Sequence, residues 1–368
     1  MTTAALLTEL QAFGLRLDTS STDVGRKGGA GPTDHRAIRV GDTTIMVPVH
    51  NFASVHSPYR SEKPDDLGVA RIFKNDEFVG EVLFPKQARF YGQSTSDGVP
   101  FWKIAQLHSH NVLATTVLQN CVRYGDKSTS CQFCAIGESL KSNKTISYKR
   151  PFQLAEVAKA AVELDGVEQF VITTGTPSTP DRGAKVLYES VKAIKASVNI
   201  PIQVQCEPPD DFSWFQKLKD VGTEAIGMHL EAADEEVRKR IMPGKAEVPV
   251  SYYMQAFKAA VEVFGRGQVS TYLLAGLGDT EETLINISKE LVAIGVYPFI
   301  VPFVPVKGTP LENYRTPDKN FMQRVLSQVG EIITEGNITS DKMKAGCGKC
   351  GACSTLKSFE KKAVHQAA

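Results

Sequence analysis

Six of the seven cysteines in this 368-residue chain stand in two triplets. Cys121, Cys131 and Cys134 have nine residues in the first gap and two in the second, while Cys347, Cys350 and Cys353 are separated by two residues throughout. Thiolates are soft ligands suited to iron–sulfur clusters or zinc, and a C-x-x-C spacing puts two of them on one tight turn. Three ligands from one loop leave a coordination position open. The first triplet therefore has three readings: an iron–sulfur cluster, a zinc ion completed by His108 or His110, or plain thiols in a buried loop. For the second, set in a glycine-bearing turn, a second iron–sulfur cluster leads, with zinc next and a tail of free thiols last. Cys206, Ser354, a substrate atom or a partner protein could complete it. Cys206 itself reads better as a small buried core residue.

The elements that must position these groups follow from periodicity. A strand-like run at 112–119 delivers the first triplet onto a loop at its carboxyl end. Further apolar runs at 169–174, 202–206, 225–230, 269–275 and 299–304 alternate with helical patterns at 152–164, 184–196, 212–221, 252–264, 282–294 and 321–335. Six βα units with short connections imply a parallel sheet with right-handed crossovers. The strand ends decide for a partial (βα)6 TIM-type barrel over an open doubly wound sheet, because each carries glycine or polar residues suited to one shared mouth. These residues are Thr173, Thr174, Gly175 and Thr176, then Glu207, Glu231 with Arg240 on the helix beyond, Leu274 and Gly276, and Val304. Singly each has a bland reading, a turn glycine or a surface ion pair; their joint placement raises the functional one. His229 reads as a hydrogen-bonded core residue.

Ahead of the barrel lie a helical stretch at 5–16, a glycine-rich basic segment at 25–32 that is either an anion-wrapping loop or a connector, and two hairpins at 37–49 and 70–84. The expected organisation is a β-rich region at 1–100, the barrel at 101–320 and a cysteine-bearing extension at 321–368, whose residues 357–368 read as a solvated tail. A net charge of +1 gives no reason to expect nucleic acid or an anionic membrane surface. The first residues lack a signal-peptide pattern, and the longest apolar run contains prolines, so a cytoplasmic protein without membrane spans is expected.

Three cysteines after the first barrel strand, Val171-Ile172-Thr173-Thr174 on the second and Leu274-Ala275-Gly276-Leu277-Gly278-Asp279-Thr280 on the fifth together resemble the radical S-adenosylmethionine (SAM) enzymes, biotin synthase and lipoyl synthase in particular. Residues 26–32 and 264–272 are similar to a biotin-synthase-related family encoded beside nitrilases in gene clusters tied to cyanide assimilation. The superfamily resemblance spans roughly residues 101–320. The first cysteine gap departs from the usual C-x3-C-x2-C. The resemblance implies a 4Fe–4S cluster on Cys121, Cys131 and Cys134 that binds SAM and generates a 5′-deoxyadenosyl radical. It further implies that residues 173–176 line the methionine amino group, that Glu207 and Glu231 make polar contacts to SAM, that Arg240 meets its carboxylate, and that Leu274, Gly276 and Val304 flank adenine. A low-potential electron donor such as ferredoxin or flavodoxin, and a small or carrier-protein-bound substrate, are implied as partners. Sulfur insertion with the aid of an auxiliary Fe–S cluster on Cys347, Cys350 and Cys353 is the leading implied reaction; the alternatives are another radical transformation in a nitrilase-linked nitrogen pathway and a zinc-stabilised barrel that binds without catalysis.

Overall fold

The computed structural model describes residues 3–18, 35–50 and 52–360. The glycine-rich segment at 25–32 and residues 361–368 lie outside them.

The amino-terminal part comprises α1 (Thr3–Phe13), β1 (His35–Val40), β2 (Thr43–Pro48), α2 (Phe52–Val55), β3 (Tyr59–Ser61), β4 (Val69–Lys74) and β5 (Glu77–Leu83). Its strands form an antiparallel sheet in the order β2-β1-β5-β4-β3. Asn75 and Asp76 both take positive φ (47° and 68°), which lets a two-residue turn follow the twist of the β4–β5 hairpin. Leu7 and Leu10 of α1 pack on Ile38, Ile45, Val47 and Ile72 to give this part its own core.

The second part comprises α3 (Phe101–Ile104), β6 (Gln106–His108), β7 (Val112–Thr116), α4 (Ile136–Lys141), α5 (Pro151–Asp165), β8 (Gln169–Thr173), α6 (Ala184–Ser197), β9 (Ile202–Gln205), α7 (Ser213–Asp220), β10 (Ala225–Gly227), α8 (Glu235–Ile241), α9 (Pro243–Ala246), α10 (Val250–Phe264), β11 (Val269–Ala275), α11 (Glu281–Ala293), β12 (Val296–Pro302), α12 (Lys319–Glu335) and α13 (Cys347–Cys350). Strands run β12-β11-β10-β9-β8-β7-β6 in one curled half-barrel sheet. β7 to β12 are the six parallel strands expected. β6 adds an antiparallel edge, His108 opposite Val112, that three residues are too short to announce in sequence.

Local chemistry fixes the strand-to-helix junctions. Asp234, Thr280 and Asp318 accept backbone N–H bonds at the starts of α8, α11 and α12. The Asp279 carboxylate accepts the Ala233 and Asp234 N–H groups at 2.7 and 3.0 Å, tying the end of β11 to the loop after β10. Within the barrel, alternate residues of β9 are glutamines, Gln203 and Gln205, both buried. A packed barrel fills such positions with branched apolar side chains. Here the polar lining receives the end of the chain: Gln169 Oε1 accepts the Gly346 N–H at 2.7 Å, and Gln203 Oε1 accepts the Cys347 N–H at 3.1 Å.

The reading of 357–368 as a solvated tail is corrected over its described part. Residues 356–360 are helical, and Leu356, Phe359 and Glu360 are buried. Tyr297 Oη donates to Glu360, whose other oxygen accepts the Ser340 N–H at 2.9 Å. The amino-terminal sheet closes over the same segment, with the Met46 N–H and Gln11 Nε2 both donating to the Ala352 carbonyl, at 2.7 and 3.2 Å.

Candidate metal and cofactor site

β7 leaves the sheet at Thr116, and residues 117–135 cross the carboxyl-end mouth of the half-barrel. The loop is pinned by its own backbone. The Val122 N–H donates to the Thr176 carbonyl at 2.8 Å, the Gln132 N–H to Ile241 at 2.8 Å, and the Cys134 N–H to Cys131 at 3.1 Å, closing the C-x-x-C turn. Between the first two cysteines, Thr129 and Ser130 hydroxyls donate to the Arg123 carbonyl at 3.1 and 2.8 Å. The nine-residue gap is therefore a folded knot that returns Cys131 toward Cys121.

Arg123 in that knot pairs with Glu207, to which the Thr176 hydroxyl also donates at 2.9 Å. Glu207 thus serves first as the anchor of the cysteine loop. Its Oε2 is buried without a hydrogen bond and forms an ion pair with Arg182 Nη1 at 3.8 Å. Gly175 allows the closest approach: a Cβ there would come within 2.0 Å of the Asn120 carbonyl oxygen.

Glu231 lies four residues beyond β10, bridging Leu273 of β11, with φ of 69°, an uncommon conformation for a side-chain-bearing residue, and pairs with Lys245 at 3.2 Å. Burial works against the Lys245 charge, but Glu231 outweighs it and holds the ammonium above its ordinary range. His229 stacks on Tyr272 with centroids 4.3 Å apart. Burial pushes its pKa down to about 4, and the Tyr272 N–H donates to its Nδ1 at 3.3 Å, so it is hydrogen-bonded as expected but lines the cavity wall rather than the packed core.

One cavity of about 370 Å³ joins these groups. Cys134, Thr173, Thr174, Glu231, Leu274 and Val304 line it toward the mouth. Cys347, Cys350 and Cys353 line the same space from the amino-end floor, with His35, Met46 and His108. Arg240 is exposed, donates to the Leu277 carbonyl at 3.2 Å and lies against Gly278 at the rim. One expectation is corrected. His108 and His110 do not reach the first triplet, because the β6–β7 hairpin sets them at the opposite end of the strand; His110 Nδ1 meets Thr44 at 3.2 Å. Gly276, at φ of 109°, is backed by Pro317. Cys206 is packed in the hydrophobic core.

The donor sets fit iron–sulfur chemistry. All seven cysteines are free. Burial pushes the thiols of Cys131 up to about 12 and of Cys134 and Cys350 up to about 11, so metal loading would have to displace protons from desolvated sulfur. Among the described residues no three His, Cys, Asp or Glu groups converge closely enough to hold a single metal ion. Thiolates that bind different irons of a cluster are spread more widely than the ligands of one ion.

A cysteine loop over the mouth of a curled half-barrel defines a class, and the comparisons give it a name. Residues 126–291 match the model of the radical SAM superfamily, so this part of the chain is a radical SAM domain. It is 28% identical over 223 residues to the bacteriochlorophyllide c C-7(1)-hydroxylase of Chlorobaculum limnaeum, 55% of each chain being covered. It is 23% identical over 246 residues to a biotin synthase of Coxiella burnetii, covering 63% of this chain and 73% of that one. A radical SAM methyltransferase from Sphaerobacter thermophilus aligns with a TM-score of 0.47 at 15% identity, over 79% of this chain and 76% of its own. The chain spans about half the length of the hydroxylase it matches. Among the described residues no helix is long and apolar enough to cross a membrane.

Proposed function

We propose that this chain is a radical SAM enzyme whose substrate occupies the cavity between two cysteine-held centres. The observation that supports it is that one space is lined by Cys134 at its mouth and by Cys347, Cys350 and Cys353 at its floor. Cys121, Cys131 and Cys134 would hold a 4Fe–4S cluster, and the lower triplet an auxiliary cluster. When bound, the upper cluster and SAM supply reductive cleavage of the sulfonium to a 5′-deoxyadenosyl radical that takes hydrogen from an unactivated carbon.

The chain's own groups bind, orient and exclude water. Thr173 and Thr174 hydroxyls and the Glu231 carboxylate give the mouth acceptors for an ammonium, and Leu274 and Val304 give it apolar faces for a flat base. Gly175 and Thr176 shape the loop beneath the cysteines, while Glu207 keeps one oxygen without a hydrogen bond, beside Arg182. Arg240, whose Nη2 donates to the Leu277 carbonyl at the rim, would meet the SAM carboxylate with its remaining N–H groups. Val171, Val301 and Phe303 make the walls apolar, which keeps water from a reactive carbon. Sulfur insertion is the reaction class, with biotin synthase among the relatives in its favour, and a ferredoxin- or flavodoxin-like donor would supply electrons.

Anaerobic reconstitution tests this. Roughly eight irons per chain and SAM-dependent release of 5′-deoxyadenosine are expected. Replacing Cys347, Cys350 and Cys353 together by Ala should preserve that release while stopping sulfur transfer in a screen that includes dethiobiotin and octanoyl-carrier protein. Zinc in place of iron, with no SAM cleavage, would sink the proposal.

A further inference from the structure

We propose that His108 is the fourth protein ligand of the centre held by Cys347, Cys350 and Cys353, making a three-cysteine, one-histidine site. This rests on reading the lower triplet as an iron–sulfur cluster. His108 Nε2 lies 3.5 Å from Cys353 Sγ, and both residues are only 7% exposed.

The other sulfurs have neighbours of a different kind. The amide Nε2 of Gln205 donates to Cys347 Sγ at 3.1 Å, and the Tyr272 hydroxyl bonds the same sulfur. Cys350 is bonded by the Ser109 hydroxyl. Amide, phenol and hydroxyl groups polarise a thiolate by donating to it, as outer-shell partners of a metal centre do. Among these neighbours the imidazole alone carries a ring-nitrogen lone pair of the sort that binds iron at ordinary pH.

The backbone supports the same assignment. Ser109 takes φ of 64° without being glycine, a strained conformation that the surrounding structure must hold in place. That turn of the β6–β7 hairpin aims two consecutive side chains, His108 and Ser109, at two different sulfurs of the triplet. An edge strand of three residues contributes little to the sheet; setting this turn against the cysteine floor gives β6 a purpose.

The test uses the full chain with Cys121, Cys131 and Cys134 replaced by Ala, so that only the lower centre loads, reconstituted anaerobically with iron and sulfide and then reduced. Pulsed paramagnetic resonance should show strong nitrogen hyperfine coupling. The coupling should take the ¹⁵N pattern when histidine is ¹⁵N-labelled and vanish in His108→Ala. His108→Cys guards against misfolding: it should retain the iron, lose the nitrogen coupling and shift the midpoint potential downward, as replacing imidazole by thiolate does. Bound iron without nitrogen coupling, or coupling that survives His108→Ala and is lost instead in His35→Ala, overturns the assignment and leaves the cluster standing. No bound iron in the parent variant removes the cluster and the assignment together.

Discussion

The two cysteine triplets occupy opposite ends of one half-barrel and are built differently. The upper one is local: a single loop brings in all three sulfurs, and the rim of the same barrel steadies it through Arg123 and Glu207. The lower one is assembled from the whole chain. Gln169, Gln203 and Gln205 receive it from the barrel, Tyr272 meets it from β11, His108 from the edge hairpin, and Met46 of β2 and Gln11 of α1 close it from the amino-terminal part. A centre that must exchange a bound cofactor needs an open mouth. One that must stay put is better enclosed by elements that come together only when the fold is complete.

That contrast can be broken from the upper side with the largest expected effect. Glu207→Gln leaves the Arg123 guanidinium in a nearly enclosed site without its counter-charge; stranding one partner of a buried pair costs about 3–5 kcal/mol. The loss should fall on the cysteine loop. In protein lacking the lower cysteines, iron uptake should drop to background, whereas in protein lacking the upper cysteines it should be unchanged. Equal losses at both ends would mean that the two centres are not independently held.

From the lower side the effect is smaller. Gln203→Leu removes the acceptor of the Cys347 N–H and the donor to Ser270 Oγ, leaving buried groups unsatisfied at about 1–3 kcal/mol. Iron in the lower centre should become loosely held while 5′-deoxyadenosine release persists. Retention of lower iron together with loss of SAM cleavage would reverse the assignment of the two ends.

The same difference explains what could be read before any coordinates. The upper loop, the six parallel strands and the clustering of Thr173, Thr174, Glu231, Leu274 and Val304 follow from short-range patterns, because period, turn chemistry and cysteine spacing are local. The lower site depends on residues as far apart as Met46, His108, Gln203 and Cys353. His108 was weighed for the wrong triplet, because sequence order puts it next to the first and only the antiparallel turn at Ser109 sends it to the other end. Burial of Phe359 and Glu360 is illegible in sequence for a related reason: a short run of mixed residues after a metal motif resembles a tail until the barrel floor and the amino-terminal sheet are present to cover it. One signal was available. Gln-x-Gln on a strand expected to line a barrel is too polar for a filled interior, and it marks the place where another segment enters.

A milder perturbation addresses the clamp over the lower centre. Glu9 on α1 accepts from Lys74 at 2.6 Å, from Tyr59 Oη at 2.7 Å and from Lys319 of α12 at 3.1 Å, so it links the amino-terminal sheet to the barrel's last helix. Burial opposes its ionisation, but these donors prevail and take its pKa from an ordinary 4.5 to about 2. The folded state therefore binds the proton less readily than the unfolded one. The stability it contributes is complete above pH 4.5 and is lost as pH falls toward about 2. Hydrogen bonds to charged groups are worth about 1.5–3 kcal/mol, so metal-free wild type should exceed Glu9→Gln by about that much near neutrality, measured by urea unfolding. The two stability curves should converge across the acid window. A gap that stays constant down to about pH 2 would show that Glu9 acts through packing rather than charge, and that the clamp is not held by this carboxylate.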